Sequence, residues 1–434
     1  MKQSRLEKLY IAFLLGIFGG IVLHAPLSVG LGTLLPSYQL LIKSWKEILM
    51  LLLVPLAAYI ITRRSLWRAL LDDWISRLII AYVGLHLLLT VTLWHGFAAT
   101  AAGLLIDLRY VLFFSLVYVG VRMLPQYRRM FIVVGTIGAC VVVGFAVVQL
   151  FLPPDFLKLL GYGKDTIQPY LTVDKNPDFI RINSTLRGPN PLGAYAGMVM
   201  GLIVAAWIKG IVVLRRHKIF AGVLASCSVV ALWVSYSRSS LVAGVVTVGT
   251  VVFIALAKRL SRRVWISSLV VVGIMAGALL GLRGSDWVSN VILHENPNGG
   301  SNVSSNAGHV QSLQEGFDHL LHHPLGGGVG STGSAALLGD APLTVEDQYL
   351  FIAHEAGWVG LSIFAGLFGM IMWRLWQKRS DWLALGTFAS GIGLTLIGLL
   401  LPVWADDTVS IVWWGLAAVV MGAEGKYGRK KQAK

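Results

Sequence analysis

Charged residues are scarce in this chain. They make up 13% of its 434 residues, and hydrophobic residues make up 56%, whereas a soluble domain carries about 25% charged residues. A bilayer span needs about 20 mostly apolar residues, and the sequence offers runs of that length many times over. The composition therefore excludes an ordinary soluble protein and predicts a chain that crosses a membrane repeatedly.

The sequence also lacks the alternation of polar and apolar residues that is typical of membrane-spanning strands. Backbone groups inside a membrane must be hydrogen-bonded within their own segment, so the apolar runs are predicted to be helices. The two cysteines, Cys140 and Cys227, both lie in apolar runs. We interpret them as small buried side chains and not as a disulfide or a metal site. The predicted fold class is an all-α, polytopic membrane bundle.

Several catalytic motifs are absent from the sequence. It contains no Walker A, GxSxG, HExxH or DxD motif, which argues against ATP-driven chemistry, serine hydrolysis and metal-dependent transfer from nucleotide sugars. One long loop holds five histidines, but no carboxylate or thiol completes a recognisable ligand set. The sequence therefore predicts neither a cofactor nor a metal site. The five histidines are His294, His309, His319, His322 and His323.

Hydropathy predicts about twelve transmembrane helices, without repeated halves and without interrupted helices. The predicted helices span residues 8–26, 46–62, 74–93, 103–122, 130–152, 190–208, 219–236, 240–257, 264–282, 348–373, 382–401 and 408–422. They divide the chain into helices 1–5 in residues 1–152, an extracytoplasmic loop in 153–189, helices 6–9 in 190–282, a long extracytoplasmic loop in 283–347, and helices 10–12 with a basic tail in 348–434. The first apolar run continues without a clear cleavage site, so we expect an uncleaved first helix.

Lysine and arginine residues are concentrated in every second connection and at both ends of the sequence. The positive-inside rule makes these connections and both termini cytoplasmic. This explains most of the net charge of +15 without a nucleic-acid partner. The two long loops then lie on the opposite, outer face. In the second, residues 309–324 form an amphipathic helix that is predicted to lie on the membrane or to cap the bundle, and the glycine-rich run 325–333 follows as a flexible, exposed turn.

Three arginines lie outside the connections that are predicted to be cytoplasmic. The positive-inside rule does not account for them, so each is a candidate for a functional role. Arg181 and Arg187 occur in RINSTLRGPNPLGAY, directly before a predicted helix, and Arg238 occurs in SYSRSSL between two helices. Arginine pairs with phosphate in a bidentate way and stays charged, and a helix that begins near Pro191 would add its N-terminal amides. These residues predict an anionic substrate, such as a phosphate, at the outer surface. The alternative is that they reach lipid headgroups or outer carboxylates.

Acidic residues at two places are further candidates. Glu346 and Asp347 lie at the outer mouth of the tenth helix, where a carboxylate beside apolar walls can act as a general base. The alternative is a helix cap and a first-turn acid. Arg109 lies near Asp107 inside an apolar run, which predicts either a functional site or an internal ion pair that fixes helix packing.

Six segments together resemble the superfamily of O-antigen ligases and O-antigen polymerases, which are bacterial membrane glycosyltransferases. The resemblance covers nearly the whole chain and includes the order of the motifs and the long loop before the last one. The segments are LIKSWKE (41–47), LIDLRYVLFF (105–114), LRGPNPLGAY (186–195), SYSRSSL (235–241), SSNAGHVQSLQEGFDHLLHHPLGGGVG (304–330) and EDQYLFIAHEAGWVG (346–360).

The resemblance implies a GT-C-like bundle in the bacterial cytoplasmic membrane with its active site on the outer face. It implies that a glycan passes from undecaprenyl diphosphate to an acceptor sugar hydroxyl, which is lipid A-core in a ligase and a second lipid-linked repeat unit in a polymerase. The transfer would be inverting and independent of metal. We expect ligase activity, with a polymerase and a lipid or polysaccharide transporter as alternatives, and a non-catalytic scaffold as a further rival. The donor, the acceptor and membrane lipid are the expected partners.

The resemblance also implies roles for individual residues. Arg187 and Arg238 match the family's diphosphate-binding arginines, and Arg181 is a further candidate. Ligases typically carry His-Asn before the last motif, and that histidine assists the acceptor hydroxyl, but this chain has Glu346-Asp347 there. Either Glu346 or another group such as His309 then takes the role of base. His309 stands where many members of the family carry arginine.

Overall fold

The computed structural model describes residues 4–173, 176–210, 217–257, 305–339 and 345–423, together with the single positions 261, 263, 277, 281 and 343. The described chain is mainly helical. Its helices are α1 (Arg5–Gly20), α2 (His24–Leu34), α3 (Gln39–Lys43), α4 (Trp45–Arg63), α5 (Trp67–Leu71), α6 (Trp74–Thr92), α7 (Phe97–Met123), α8 (Arg128–Gln149), α9 (Pro189–Ile208), α10 (Lys218–Val234), α11 (Arg238–Leu256), α12 (Ser305–His322), α13 (Gly333–Ala336), α14 (Gln348–Gln377), α15 (Trp382–Gly398) and α16 (Asp407–Gly422). Short 3₁₀ helices occur at Ile21–Leu23, Pro36–Tyr38, Pro125–Tyr127 and Phe156–Leu160.

Eight helical segments of the described chain are long and apolar enough to cross a membrane. They are the segment Arg5–Leu34, which joins α1 and α2, then α4, α6, α7, the segment Pro125–Gln149, which contains α8, and α9, α11 and α14. Helices α10, α15 and α16 are apolar but shorter. A helical membrane bundle is thus what the structure has, while the number twelve and the GT-C-like arrangement stay predictions. Apart from the single positions 277 and 281, the predicted helix over 264–282 lies outside the described residues, as does the basic tail from 424 onward.

Helix α16 lies at the centre of the bundle. All of its residues are buried, as expected for a helix that is apolar on every side. Trp413 and Trp414 pack against each other and against Trp404 and Phe368, with ring centroids 5.2–6.4 Å apart. Helix α16 also contacts α7 along its length. The last described helix of the chain therefore holds the bundle together from the inside.

Helices α9, α11 and α15 pack through small residues. A Cβ atom added to Gly197 would lie 3.3 Å from the Cα atom of Gly244, and one added to Gly201 would lie 2.4 Å from the Thr247 side chain. Inside a membrane, helices are held together by close packing of this kind because there is no water to expel between them. The seam fixes the position of the N-terminal ends of α9 and α11.

Ion pairs join helix ends at one end of the bundle, which we call the basic end. Glu7 in the first turn of α1 pairs with Arg64 after α4 at 2.7 Å. Asp73 before α6 pairs with Arg374 near the end of α14, with a 3.0 Å hydrogen bond. Arg128 and Asp381, which precede or begin α8 and α15, form a third pair. These residues belong to the connections that the positive-inside rule predicts to be cytoplasmic. Which side of the membrane they face stays a prediction.

The first long loop contains a small sheet that the sequence did not predict. Strands β1 (Leu171–Val173) and β2 (Asn176–Arg181) pair antiparallel, with Leu171 opposite Arg181. The strands are too short for alternation to be visible in the sequence. The hairpin places Arg181 at its final position, next to the start of α9.

Two expectations for the second loop and α14 are wrong. Helix α14 is interrupted at Gly357, which has φ +64° and ψ −173°, so the chain does contain an interrupted helix. The run 325–333, which we call the glycine strap, is not an exposed turn, because Gly328, Val329, Gly330 and Thr332 are buried. Helix α12 packs against α14 with Leu320 buried, while Phe317 and Leu321 are more than half exposed.

Candidate active site

A cavity of about 380 Å³ opens at the end of the bundle opposite to the basic end. It lies where α9, α14 and α16 begin. The dipoles of these helix starts put partial positive charge on the cavity wall, although carboxyl groups cap α14 and α16. The lining residues are Ile106, Arg187, Gly188, Asn190, Pro191, Ala194, Gly333, Ser334, Val345, Glu346, Phe351, Ile397, Leu401, Pro402, Val403, Ala405, Asp406 and Val409.

Arg187 is exposed at this cavity and is carried by a firmly anchored loop. Ser184 is buried, and its backbone adopts the left-handed region at φ 53°. Its amide donates to Gln149 Oε1 at 2.8 Å, and its hydroxyl donates to the carbonyl of Val142 at 2.6 Å. A side chain at the end of such a loop has a fixed origin, so Arg187 is held at the cavity without being buried.

Arg181 does not line the cavity but contacts its wall. Its Nη2 donates to Asn190 Oδ1 at 2.6 Å, and its Nε donates to the carbonyl of Ser235 at 3.0 Å. Asn190 is itself a lining residue. Arg181 thus ties the start of α9 to the turn before α11.

Arg238 is the first residue of α11 and is half-buried. It is not among the residues that line the cavity. Ser240, one half-turn further, donates to the carbonyl of Asn190 at 3.4 Å, so the start of α11 lies against the same part of α9. The structure therefore brings Arg187 and Glu346 into one cavity, with Arg181 and Arg238 around its α9 side.

Glu346 lines the cavity directly before α14, and the next residue, Asp347, caps that helix. Asp347 Oδ1 accepts from the amides of Tyr349 and Leu350 at 2.7 and 2.8 Å. Burial raises the pKa of Asp347 above its ordinary value, although these two hydrogen bonds act in the other direction. The two adjacent acids therefore differ in role, because Asp347 is buried as a cap and Glu346 faces the cavity.

Asp406 is a cavity residue that the sequence interpretation missed. Its Oδ1 accepts from the amides of Thr408 and Val409 at 3.0 and 2.9 Å, which caps α16. Burial raises the pKa of Asp406 above its ordinary value and the charge of Asp407 adds to this, although the hydrogen bond from Val409 and the positive charge of Arg187 act in the other direction. The Asp-Asp pair before the last apolar run was the available signal, but it reads equally well as an ordinary helix start.

A buried network of charges supports the wall on which Asp406 lies. Arg109 Nη2 donates to the carbonyl of Ala405 at 2.8 Å, and its Nη1 pairs with Asp407 and with Glu47. Lys46 Nζ lies 3.0 Å from both of these carboxylates. Arg109 is thus part of an internal ion-pair network. Its ion-pair partners are Glu47 and Asp407 and not the neighbouring Asp107.

His309 is part of α12, but its side chain lies outside the described residues, so its role as a base stays a prediction. Within the described ranges, no group of three or more His, Cys, Asp or Glu side chains is arranged to hold a metal ion. His294 and the side chain of His319 also lie outside the described residues.

Residues 220–373 match the family described as O-antigen ligase. The resemblance that the sequence motifs indicated is thereby confirmed. None of the curated proteins matches the chain significantly. The apolar helices and the family match together indicate a bacterial inner-membrane protein.

The matched region contains Arg238, Glu346 and the glycine strap. Arg181 and Arg187 precede its first residue. Helices α13 and α14 of this region line part of the cavity, and the start of α9 before it and α16 after it line the rest. The cavity therefore depends on the chain on both sides of the matched region.

Proposed function

We propose that the chain transfers a glycan from undecaprenyl diphosphate to the hydroxyl of an acceptor sugar at the cavity. The observation that carries this proposal is that Arg187, a match to a diphosphate-binding arginine, and Glu346, at the family's histidine position, line one cavity. A volume of about 380 Å³ lies within the range of about 300–1,000 Å³ that small-molecule sites occupy. The cavity therefore suits the reacting part of two larger substrates.

The diphosphate of the donor binds at the α9 side of the cavity. Arg187 supplies charge, and the dipole of α9 adds partial positive charge at the start of that helix. Arg181 and Arg238 stand around the same helix start. Charge that is fixed in place before the reaction stabilises the leaving diphosphate as its negative charge grows, typically by about 3–4 kcal/mol per donor.

The acceptor hydroxyl attacks the anomeric carbon from the face opposite to the diphosphate. The new bond from the acceptor oxygen to the anomeric carbon forms as the bond to the diphosphate oxygen breaks, so the configuration inverts. The hydroxyl proton passes to Glu346 and then to water, and undecaprenyl diphosphate leaves. A well-placed base of this kind contributes about 10²–10⁴ to the rate. His309 is the alternative base, and we propose that neither needs a metal ion.

Ligase activity toward lipid A-core is the first choice, and polymerase activity is the alternative, because both use this chemistry and differ in the acceptor. The Glu346-Asp347 pair departs from the His-Asn of typical ligases, so polymerase activity stays an alternative. A transporter gains one supporting observation, since α14 is interrupted and interrupted helices occur at transport sites. That interruption is filled by the glycine strap through backbone hydrogen bonds, which argues for a structural cause. We place the cavity on the outer face of the membrane, with both termini in the cytoplasm.

The test is an assay with purified protein and undecaprenyl-diphosphate-linked glycan, with and without lipid A-core, and with and without EDTA. A product that forms only with the core identifies a ligase, and a ladder of longer lipid-linked glycans without the core identifies a polymerase. Loss of activity in EDTA would contradict the metal-independent mechanism. Folded protein that consumes no donor in any arm would contradict glycan transfer, and flux across proteoliposomes would then test transport.

A further inference from the structure

The interruption of α14 leaves backbone carbonyls without their helical partners, and the glycine strap supplies new ones. The amide of Gly327 donates to the carbonyl of His354 at 2.6 Å, and the amide of Gly328 donates to that of Glu355 at 2.9 Å. The strap needs glycine for this approach: a Cβ atom on Gly326, which has φ +86°, would lie 2.5 Å from the amide nitrogen of Gly357. The strap is therefore inserted into the break of α14.

The side chain of Glu355 holds the next part of the strap. Its Oε1 accepts from the amides of Gly330 and Thr332 at 3.1 and 3.3 Å. Glu355 is 1% exposed and Thr332 is 0% exposed. Hydrogen bonds from backbone amides to a buried carboxyl group are expensive to lose, because the amides would be left buried and unpaired.

Glu355 lies beside Asp107 of α7, and both side chains are buried. The oxygens Glu355 Oε2 and Asp107 Oδ2 have no hydrogen-bond partner in the described part of the chain. The hydrogen bonds from the amides of Gly330 and Thr332 therefore fix the orientation of the Glu355 carboxyl group.

The far end of the strap reaches the cavity. Thr332 Oγ1 and the amide of Gly333 both bind the carbonyl of Leu343 at 2.9 Å. Gly333 is a lining residue, and Leu343 lies shortly before Val345 and Glu346, which also line the cavity. A continuous set of hydrogen bonds thus runs from Glu355 through Thr332 and Gly333 to the segment that carries Glu346.

We propose that Glu355 is a positioning residue that holds Glu346 in place through the glycine strap. The inference rests on the proposed glycan transfer at the cavity. Glu355 does not touch the substrates. It fixes the wall on the acceptor side, whereas Arg187 is anchored independently by the loop of Ser184. Loss of Glu355 should therefore reduce turnover and leave donor binding intact.

The experiment combines hydrogen exchange of the strap amides with steady-state kinetics in the full-length protein. In Glu355→Ala, exchange at Gly330 and Thr332 should accelerate by at least about tenfold. Turnover should fall by about 10²-fold, the typical cost of misplacing a reacting group by about 1 Å, while binding of glycan-free undecaprenyl diphosphate stays unchanged. Glu355→Gln should rescue both readouts to within about threefold, because the amide oxygen accepts the same two hydrogen bonds.

Two further variants keep the test decisive if Glu355→Ala does not fold. Thr332→Val removes the hydroxyl bond to Leu343 and leaves the carboxyl pair intact, so turnover should fall while the amide of Thr332 stays protected. Asp107→Asn keeps a polar side chain of the same shape beside Glu355, so it should keep nearly full activity. The matched control is Glu7→Ala, which removes a buried carboxylate at the basic end and should leave strap exchange unchanged.

Two results would overturn the inference. The first is wild-type turnover in Glu355→Ala or Thr332→Val, and the second is loss of donor binding in parallel with turnover, which would mean a general collapse of the site. Failure of the proposed function is a separate result, because the wild-type protein would then transfer no glycan although Glu355→Ala still altered strap exchange.

Discussion

Arg187 and Glu346 line the same cavity, although one precedes α9 and the other precedes α14. Glu346 lies within the matched family region and Arg187 lies before it. A cation and a carboxylate that converge from distant parts of the chain can serve opposite halves of one transfer, with Arg187 on the leaving group and Glu346 on the nucleophile. Substitution of each residue in turn separates these two roles.

Replacing Arg187 with alanine should abolish transfer without unfolding the protein. Loss of a fixed charge at the leaving group costs about 3–4 kcal/mol, or about 10²–10³ in turnover, and the exposed side chain of Arg187 contributes little to packing. Arg238→Ala should also lose transfer. Arg379→Ala, which removes an arginine stacked on Trp376 near the basic end, is the control and should stay active. Normal activity of Arg187→Ala or Arg238→Ala in the glycan-transfer assay would refute the assigned role of that arginine.

Glu346→Gln should lower the maximal rate by about 10²–10⁴ and leave the affinity for the donor unchanged, because the amide cannot accept the hydroxyl proton. Glu346→His restores the residue of typical ligases and should recover part of the rate. Its pH profile should then move toward neutral pH, since free histidine titrates near pH 6.5. Equal rates for the wild type and Glu346→Gln would transfer the role of base to His309 or Asp406.

The hydrogen bond between Arg181 and Asn190 should show energetic coupling. Arg181→Ala, Asn190→Ala and the double variant form a cycle, and a hydrogen bond to a charged group contributes about 1.5–3 kcal/mol. The double variant should therefore lose much less stability than the sum of the single ones. Thermal unfolding in detergent measures this. Additive losses would mean that the 2.6 Å contact does not tie α9 in place.

Asp347→Asn should stabilise the protein, and the gain should depend on pH. Burial raises the pKa of Asp347 above 3.8, so the folded state binds the proton more tightly than the unfolded state. The stability of the wild type then falls as pH rises from about 4 through the folded-state pKa, whereas Asn carries no charge and remains a good cap.

Melting temperatures of the wild type and Asp347→Asn measured from pH 4 upward test this, and the difference should grow with pH. Asp347→Ala is the control for the cap and should cost about 0.5–2 kcal/mol at every pH. A difference in melting temperature between the wild type and Asp347→Asn that does not change with pH would contradict the raised pKa of Asp347.

Arg109→Ala should destabilise the protein by about 3–5 kcal/mol, because it leaves the buried carboxylates of Asp407 and Glu47 to share the single positive charge of Lys46. The exposed Arg68, whose side chain is 95% accessible in its pair with Asp72, gives the control, and Arg68→Ala should change stability by less than about 0.5 kcal/mol. Thermal aggregation in detergent compares the two variants. Similar stability of both would mean that the buried network does not support the cavity wall.

Features that depend on one short stretch of the chain could be predicted from local sequence patterns. The helix over Trp45–Arg63 follows from an apolar run because a membrane leaves the backbone no other partner. The cap at Asp347 follows from the preference of helix starts for Asp. The position of Arg187 directly before a helix could also be predicted from RGPNP alone.

Other features could not be predicted because their causes lie far apart in the chain. The glycine-rich run 325–333 is typical of an exposed turn, and its buried position depends on carbonyls that Gly357 frees in α14. Arg109 has Asp107 close by in sequence, yet the helix geometry turns Arg109 toward Asp407 and Asp107 toward Glu355.

The sequence by itself determined that the chain is a bundle of membrane helices with arginines and acids at their ends, because hydropathy and helix starts are properties of short segments. Only the tertiary structure decided that Arg187, Glu346 and Asp406 share one cavity and that Glu355 supports its wall. Those relations depend on which helix starts are packed side by side, and that is set by the small-residue seam of α9, α11 and α15 and by the buried α16.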